Sequence, residues 1–567
     1  MASKSTTAAL LAGLGTTAII LYHRWMHVKC PNAPTSTDPT KQGFSSKAVS
    51  GQWDVIVIGS GVGGLTTAAL LAKEGKKVLV LEQHDVAGGN LHTFTENGYE
   101  FDTGLHYIGG QVGNTKSPMR RQLDYVTDGQ VDWAKMNDVY DVAIVKNERF
   151  DFHASWTVMK NDLKQKFPDE GDAIDKFFRL TMRITKLFPV LFILKRLPGP
   201  FFRFGIKFFG LSLFRQTTKQ VLDSITKNEK LAGVLSYVYG DYGEPPSRGA
   251  FAMHSLIYTH YKGGAYYPVG GPLHIAASYV RVIEKWGGKV LVRAPVSSIL
   301  MDERSRAVGV EVKGKQIYAK TVVSSVGAPA TFTKLVPNSH QHLVSPMIEA
   351  MKNDKIASNV TLMSMFVGIK DPDASLDLPR QNYWIYESWD HDSNVDKFKQ
   401  DNTKPAAYFI SFSSAKDPSY SSRNPGKQVA LVIGPGSFDD VAVYEGKRVK
   451  HRGDEYNALK KKWGKVFMNV LLKEFPELED RIDYIEFGTA LSNDFYLGTF
   501  RGAVYGLAHT PERFMQQWLQ PKTPIANLYL TGQDVCSCGV GGALIGGYLC
   551  AYELSTRCFL RTASMLG

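Results

Sequence analysis

Residues 54 to 82 run Asp-Val-Ile-Val-Ile58, Gly59-Ser-Gly61-Val-Gly-Gly64, an alanine-rich stretch to Gly75, then Val78-Leu-Val-Leu81 and Glu82. This order of strand, G-x-G-x-x-G, helix, strand and acid constrains the chain more than any other feature. Gly59 allows the tight turn, Gly61 lets backbone approach a pyrophosphate, and Gly64 lets helix and strand pack closely. The helix start offers unpaired N–H groups and a positive dipole end to phosphate. Glu82 stands 18 residues past Gly64, where it can accept hydrogen bonds from ribose hydroxyls. An acid there disfavours a 2′-phosphate, and so disfavours NADP at this site. With its full βαβ context the fingerprint reads as a dinucleotide site.

The residues after Glu82 favour FAD over NAD. Gly88 and Gly89 form a second glycine pair ahead of His92, able to bring more N–H groups onto a pyrophosphate. Asn97-Gly98 lies between Phe94 and Tyr99-Glu-Phe101, a hairpin signal. Such a β-excursion is unlike a plain NAD domain. Near the other end, Asn527 to Leu530 reads as a strand followed by Thr531-Gly532-Gln533-Asp534. Gly539, Gly541 and Gly542 then open an apolar helix running to about Ser555. This is a second glycine-rich strand-to-helix junction, with an acid suited to a ribityl chain.

Composition narrows the class. The chain has 567 residues, 44% apolar, with 52 Gly, 5 Cys and a formal net charge of +12. Collagen-like, disordered and disulfide-scaffold chains are excluded. Cys30, Cys536, Cys538, Cys550 and Cys558 do not have zinc spacing and read as small buried or loop thiols. No HExxH or CxxC pattern appears and no His pair at ligand spacing sits near the cysteines, so no metal site is expected. His391, in Trp389-Asp-His-Asp392, reads as part of an exposed loop.

Charge is unevenly placed. Residues 176 to 219 hold ten Lys or Arg, no Asp or Glu, and ten of the 30 Phe. Arg179, Arg183 and Lys186 share one helix face, and Pro189, Pro198 and Pro200 are expected to divide the segment into short helices. This is the composition of helices lying on anionic lipid. Stacking of nucleic acid and an ordinary solvated face are the competing readings, and nothing else favours nucleic acid. Ser5 to Tyr22 carries no charge and would span about 27 Å as a helix, which suggests a retained membrane anchor rather than a cleaved signal. Residues 30 to 52 read as a linker. Residues 1 to 50 contribute +4, so the rest of the chain carries −2.

The stretches DVIVIGSGVGGL, VLVLEQHDVAGGNLHTF, YEFDTGLHYIGG, MHSLIYTHYKGGAYYPVGG and NLYLTGQDVCSCGVGGALIGG resemble the FAD-dependent phytoene desaturase, carotenoid isomerase and amine oxidase superfamily. Within it they resemble most the retinol saturase branch. One departure is that the branch has Cys ahead of His-Thr-Phe, where this chain has Asn90-Leu91-His92, which implies a different flavin-side pocket. The resemblance implies an α/β fold, with a discontinuous Rossmann-like FAD-binding domain and an α+β substrate domain of the amine oxidase or GDI type. The FAD domain is expected from residues 51–125, 265–335 and 505–567, and the substrate domain from 126–264 and 336–504, after an N-terminal segment 1–50. Implied FAD contacts are Gly59, Gly61, Gly64, Glu82, Gly88, Gly89, His92, Val296, Gly532, Asp534 and Gly541. Val290 to Val296 is read as one strand, with Val296 meeting the adenine, and Val322 to Ser325 as the strand returning to the nucleotide fold. The helix after Gly270-Gly271-Pro272 is read as lying under the substrate cavity.

The expected function is redox chemistry on a carbon–carbon double bond of a lipophilic polyene, a retinoid or carotenoid. Saturation is the first reading; a desaturase or cis–trans isomerase is the alternative, and a flavin-free prenyl-binding escort is a third. Intact Gly59, Gly61, Gly64, Glu82 and Asp534 argue against the third. Hydride delivery from flavin needs orientation, a dry pocket and a proton donor. His106, Tyr107, His254, Tyr258 and His260 are the candidates to line that pocket. No second fingerprint marks a nicotinamide domain, so NAD or NADP as reductant would visit the same cavity, or another protein would supply electrons. The endoplasmic reticulum membrane is the expected location, and Asn359-Val-Thr361 is a lone sequon pointing to the lumen.

Overall fold

A computed structural model describes residues 38–357, 360–403 and 407–565. The anchor reading of Ser5–Tyr22, Cys30 and the sequon residue Asn359 fall outside the described residues.

The chain enters through β1 (Trp53–Ile58), α1 (Val62–Lys73) and β2 (Val78–Leu81). Both strands are apolar on both faces, as parallel strands between helix layers must be. Gly75, at φ 81°, lets the backbone leave α1 in the left-handed conformation. The hairpin of β3 (Thr93–Glu96) and β4 (Tyr99–Asp102) turns through Asn97 and Gly98 at φ 50° and 75°, as an Asn-Gly pair favours.

The first excursion supplies β5 (Trp133–Lys135), β6 (Val139–Val145), β7 (Glu148–His153), α2 (Gly171–Leu194), α3 (Gly199–Phe208) and α4 (Phe251–His260). The chain returns with β8 (Tyr266–Pro268), α5 (Pro272–Lys285), β9 (Lys289–Leu291), β10 (Val296–Met301), β11 (Ala307–Val312) and β12 (Lys315–Ser324). A second excursion gives β13 (Thr361–Lys370), β14 (Asn382–Tyr386), β15 (Ala407–Ser411), β16 (Lys427–Gly436) and β17 (Ile482–Gly488). β18 (Leu528–Leu530), α6 (Gly539–Leu554) and α7 (Thr556–Thr562) follow.

Two large sheets result. In the first, β9, β2, β1, β12 and β18 lie parallel in that order, and β10 and β11 continue antiparallel from β12. In the second the order is β17-β13-β16-β15-β14-β6-β7, antiparallel except where β14 meets β6. In an open parallel sheet the ligand crevice lies beyond the carboxyl ends of the strands. Those ends carry Gly59, Glu82 and Gly532.

Several expectations need correction. The linker reading fails from Pro39 onward. Val49 is buried, Phe44 N donates to Val292 O at 2.9 Å, and Ala87 N donates to Thr40 O at 2.8 Å. Val290 to Val296 is not one strand. Arg293 has φ 53°, and the N–H groups of Arg293 and Ala294 turn to His84 O and Glu82 O instead of extending a ladder. Pro189 does not divide α2. It removes one helical hydrogen bond, yet Phe188 and Leu191 beside it are buried, and that packing carries the helix through. α5 does not lie under the cavity. It packs on α1, with Tyr279 and Thr66 hydroxyls 2.9 Å apart. His391 is no exposed loop residue; it opens a helix, is buried, and its Nε2 bonds Gly233 O at 2.9 Å.

Candidate functional site

Gly61 is the N-cap of α1, and a Cβ there would meet no protein atom within 4 Å. Gly89 backs onto this open space, since its own Cβ would stand 3.0 Å from Gly61 Cα. Two glycine-edged loops thus face each other at a helix N-terminus. Gly59 needs its φ of 91°, and a Cβ on Gly64 would collide with Gly59 O. Gly88 takes φ 135° and hands its N–H to Ser60 Oγ at 2.9 Å.

Glu82 closes β2 and is buried. Its Oε2 accepts from Ser60 N at 2.9 Å and Ser60 Oγ at 2.6 Å, and its Oε1 accepts from His84 N at 2.9 Å. A carboxylate has about four acceptor positions, so about one remains for a ribose hydroxyl. Asp534 is buried, accepting from Leu507 N at 2.9 Å and Ala328 N at 2.8 Å. It ties two returning segments to the end of β18 and keeps about two acceptor positions. His92 Nδ1 lies 2.9 Å from Gly89 O, and burial lowers its pKa to about 4, so the neutral ring braces the glycine loop. Val296 heads β10 just past the break that contacts Glu82 O. Gly532, at φ 87°, lets β18 meet α1, and Gly541 lies in the first turn of α6 on the cavity wall.

An open space at a helix N-terminus, flanked by backbone N–H groups and bounded by two placed carboxylates, fits FAD. Gly61 and Gly89 would admit the pyrophosphate and Glu82 the adenosine ribose. Asp534 and the start of α6 would meet the flavin end.

A cavity of about 2150 Å³ adjoins the α6 N-terminus and is mostly apolar. His106, Tyr107 and His260 line it; His254 and Tyr258 do not. The two latter residues are corrected to core roles. His254 Nε2 bonds Leu235 O and its Nδ1 the Tyr242 hydroxyl, and Tyr258 Oη donates to Leu235 O at 2.9 Å. Helical geometry explains the split: positions 254 and 258 share one face of α4, and 260 lies on another.

His260 Nε2 accepts Gly109 N–H at 2.8 Å, so its Nδ1 carries the proton, and that atom lies beside Gly541. Burial pulls His260 down to about 4 and His106 down to about 3, the latter helped by Lys416. Both rings are therefore neutral at pH 7.

The wall is backed by a polar network that sequence reasoning missed, and Tyr107 and Asp241 are among the members that reach the cavity. Tyr107 Oη sits 3.1 Å from Asp141 Oδ2 and 3.2 Å from Asp241 Oδ2, with its ring stacked on Tyr261. Asp141 also accepts from Tyr237 Oη at 3.1 Å and Asn382 Nδ2 at 2.9 Å. Buried Lys416 donates to His106 O at 2.9 Å, Ser411 Oγ at 2.7 Å and Asn382 Oδ1. Burial pulls Lys416 down to about 7 and pushes Asp141 up to about 6. An acid within an apolar run was the available signal: Asp141 in Val139-Tyr-Asp-Val-Ala-Ile-Val145, and Asp241 in Val238-Tyr-Gly-Asp-Tyr-Gly243.

The basic aromatic segment divides in two. Phe177, Phe178, Phe188, Phe202 and Phe214 are core. Phe201, Phe204 and Phe208 on α3 are 63%, 66% and 70% exposed, beside exposed Arg203 and Lys207. The cavity wall reaches this side through Ile193 of α2, Arg196 just past its end, and Phe559 of α7.

The model of the flavin containing amine oxidoreductase family matches residues 62–555. An all-trans-retinol 13,14-reductase of Danio rerio is 37% identical over 541 residues, 91% of this chain and 88% of that one. An inactive all-trans-retinol 13,14-reductase of the same species is 34% identical, covering 93% and 91%. A chloroplastic prolycopene isomerase of Daucus carota is 27% identical, covering 89% and 80%. Among solved structures, an oxidoreductase from Methanosarcina mazei superposes with TM-score 0.55 at 16% identity, over 87% of this chain and 98% of that one.

Proposed function

We propose that this chain, which belongs to the flavin containing amine oxidoreductase family, saturates one double bond of a lipophilic conjugated polyene alcohol. The substrate is all-trans-retinol and the product its 13,14-dihydro form. The observation that carries this is identity of 36% to 37%, across more than nine-tenths of the chain, to proteins named for that reaction. The large apolar cavity at the α6 N-terminus supports it.

Bound FAD supplies the redox chemistry, its reduced ring offering the hydride that a double bond takes up. The protein holds the polyene in a cavity whose apolar wall excludes water. The carbonyl of His106 is fixed by Lys416, and the neutral imidazole of His260 presents an N–H beside Gly541. NAD or NADP, entering the same cavity, is the proposed source of electrons.

The carrot isomerase relative favours one competing reading, isomerisation or desaturation on the same scaffold. Anaerobic incubation of the yellow protein with all-trans-retinol separates them, using NADH, NADPH or dithionite as donor. Saturation shortens the conjugation and moves absorbance to shorter wavelength. A move to longer wavelength, or a changed isomer ratio at constant mass, would replace saturation with desaturation or isomerisation. A colourless, flavin-free preparation would support the escort reading.

The proposed location is the endoplasmic reticulum membrane, with α3 dipping into the lipid near the cavity mouth. Each exposed Phe buried there gains about 1.5–3 kcal/mol, and each nearby cation about 1 kcal/mol on anionic lipid. Phe204→Asp with Phe208→Asp should raise KM about ten-fold for retinol carried in phosphatidylserine-containing vesicles, leaving kcat unchanged. KM for cyclodextrin-borne retinol should stay the same. An unchanged KM with both carriers would remove α3 from the membrane.

A further inference from the structure

Saturation consumes a proton as well as a hydride, and the histidines on the cavity wall are poor sources because burial keeps both neutral. The tyrosine–carboxylate network offers another. A phenol has one proton. Tyr107 Oη lies within hydrogen-bond distance of Oδ2 of both Asp141 and Asp241, so it can donate to one of them at a time.

Asp141 is the better-placed anion. Its oxygens also accept from Asn382 and Tyr237, and the Lys416 ammonium stands behind Asn382. If Tyr107 donates to Asp141, Asp241 faces a phenolic lone pair. Its carboxyl must then carry a proton of its own to make the 3.2 Å contact a hydrogen bond.

Asp241 differs from Asp141 in one further respect: it lines the cavity. Its carbonyl oxygen accepts from Cys538 Sγ at 3.5 Å, and Cys538 is the N-cap of α6. The residue therefore stands in the wall at the helix end where the flavin motif lies.

We propose that Asp241 is the general acid of this site, holding a proton as a neutral carboxyl and delivering it to the polyene. The inference rests on the saturation reading above. In the step, hydride brings two electrons to one carbon of the double bond. The π pair moves to the neighbouring carbon and forms the second C–H bond with the Asp241 proton. The carboxylate left behind is held by the Tyr261 hydroxyl and regains its proton from water at the cavity mouth.

Charged and titratable groups facing Asp241 are Asp141 and Tyr140 on β6, Tyr107 after β4, Tyr237, Tyr261 after α4, Tyr386 on β14, Tyr505, and Cys538 at α6. Burial first, then the Asp141 charge, raises its pKa well above the usual carboxylate value. A raised carboxyl pKa favours the acid form that the Tyr107 geometry calls for, and activity is lost as pH climbs through it.

Infrared difference spectra of the full-length protein, wild type minus Asp241→Asn, test the protonation without turnover. A carboxylic-acid C=O band that Asp241→Asn removes at neutral pH is expected; its absence overturns the proposal. Asp141→Asn should lower the pH at which that band disappears, because the neighbouring negative charge is gone. An unmoved titration would break the proposed pairing.

In turnover, Asp241→Asn should stay yellow and lose kcat by about 10²–10⁴-fold, with its alkaline limb flattened. Wild-type rates in that variant would exclude Asp241 as the acid. If wild type itself saturates no polyene, the saturation reading fails, and the infrared band still decides the state of Asp241 separately.

Discussion

Gly61→Val should give a folded, colourless protein. At Gly61 the backbone has φ −64° and ψ 170°, which valine adopts without strain. Its Cβ would touch no protein atom. The expected folding cost is the weaker N-cap, about 1 kcal/mol. The side chain would instead occupy the space through which a pyrophosphate must approach the α1 N-terminus. Bound flavin should fall below detection by absorbance, and polyene turnover should drop by about 10³-fold or more. A ligand held at 1,000 times its Kd stabilises by about 4 kcal/mol, so the variant loses that as well. Its melting point should match wild type stripped of flavin, with an unchanged far-ultraviolet circular dichroism spectrum. A variant as yellow as wild type would mean that the flavin lies elsewhere.

That prediction rests on the part of the fold most legible in the sequence. Parallel strands buried on both faces must be uninterrupted apolar runs, and a phosphate-binding turn must be glycine. β1, α1 and β2 therefore declare themselves locally. The same rule explains the misreading of Val290 to Val296. Its apolar residues look continuous, but the break at Arg293 is set by the carbonyls of Glu82 and His84, more than 200 residues away in sequence.

The cavity wall was legible only in part for a related reason. His254, Tyr258 and His260 cluster in sequence, and their helix sends two into the core and one to the cavity. Asp141 and Asp241 come together only when β6 pairs with β14 and the turn before α4 brings Asp241 to the Tyr107 hydroxyl. No local pattern could pair two acids 100 residues apart. An acid inside an apolar run did mark each as unusual, Asp141 within a strand and Asp241 at the end of a 3-10 turn, since burying an unpartnered carboxylate is costly.

Gly63→Val, two residues along the same fingerprint, should fail in the opposite way. Gly63 is an unassigned position of G-x-G-x-x-G, yet it is where α1 meets the returning end of β18. A Cβ there would collide with Gly532 Cα and stand 2.7 Å from Gly532 N. Backbone cannot swing aside as a side chain can, and Gly532 is fixed at φ 87° in a turn whose flanking Thr531 N donates to Ser324 O. α6 packs at the same place, Gly546 against Gly532 and Gly547 against Thr66 and Gly63 of α1. Thr67 Oγ1 bonds both Gly63 O at 3.0 Å and Gly547 O at 3.2 Å. Valine must therefore push the helix pair and the sheet apart, opening gaps around Leu65, Leu544 and Tyr548 in one core. Overpacking typically costs about 1–3 kcal/mol, and a clash between backbones belongs at the top of that range or above it. The variant should be largely insoluble, or cleaved quickly by protease, and should melt below flavin-stripped wild type. Gly61→Val should not. If both variants melt together, the contact between α1 and β18 is looser than its geometry implies, and loss of flavin alone would account for both.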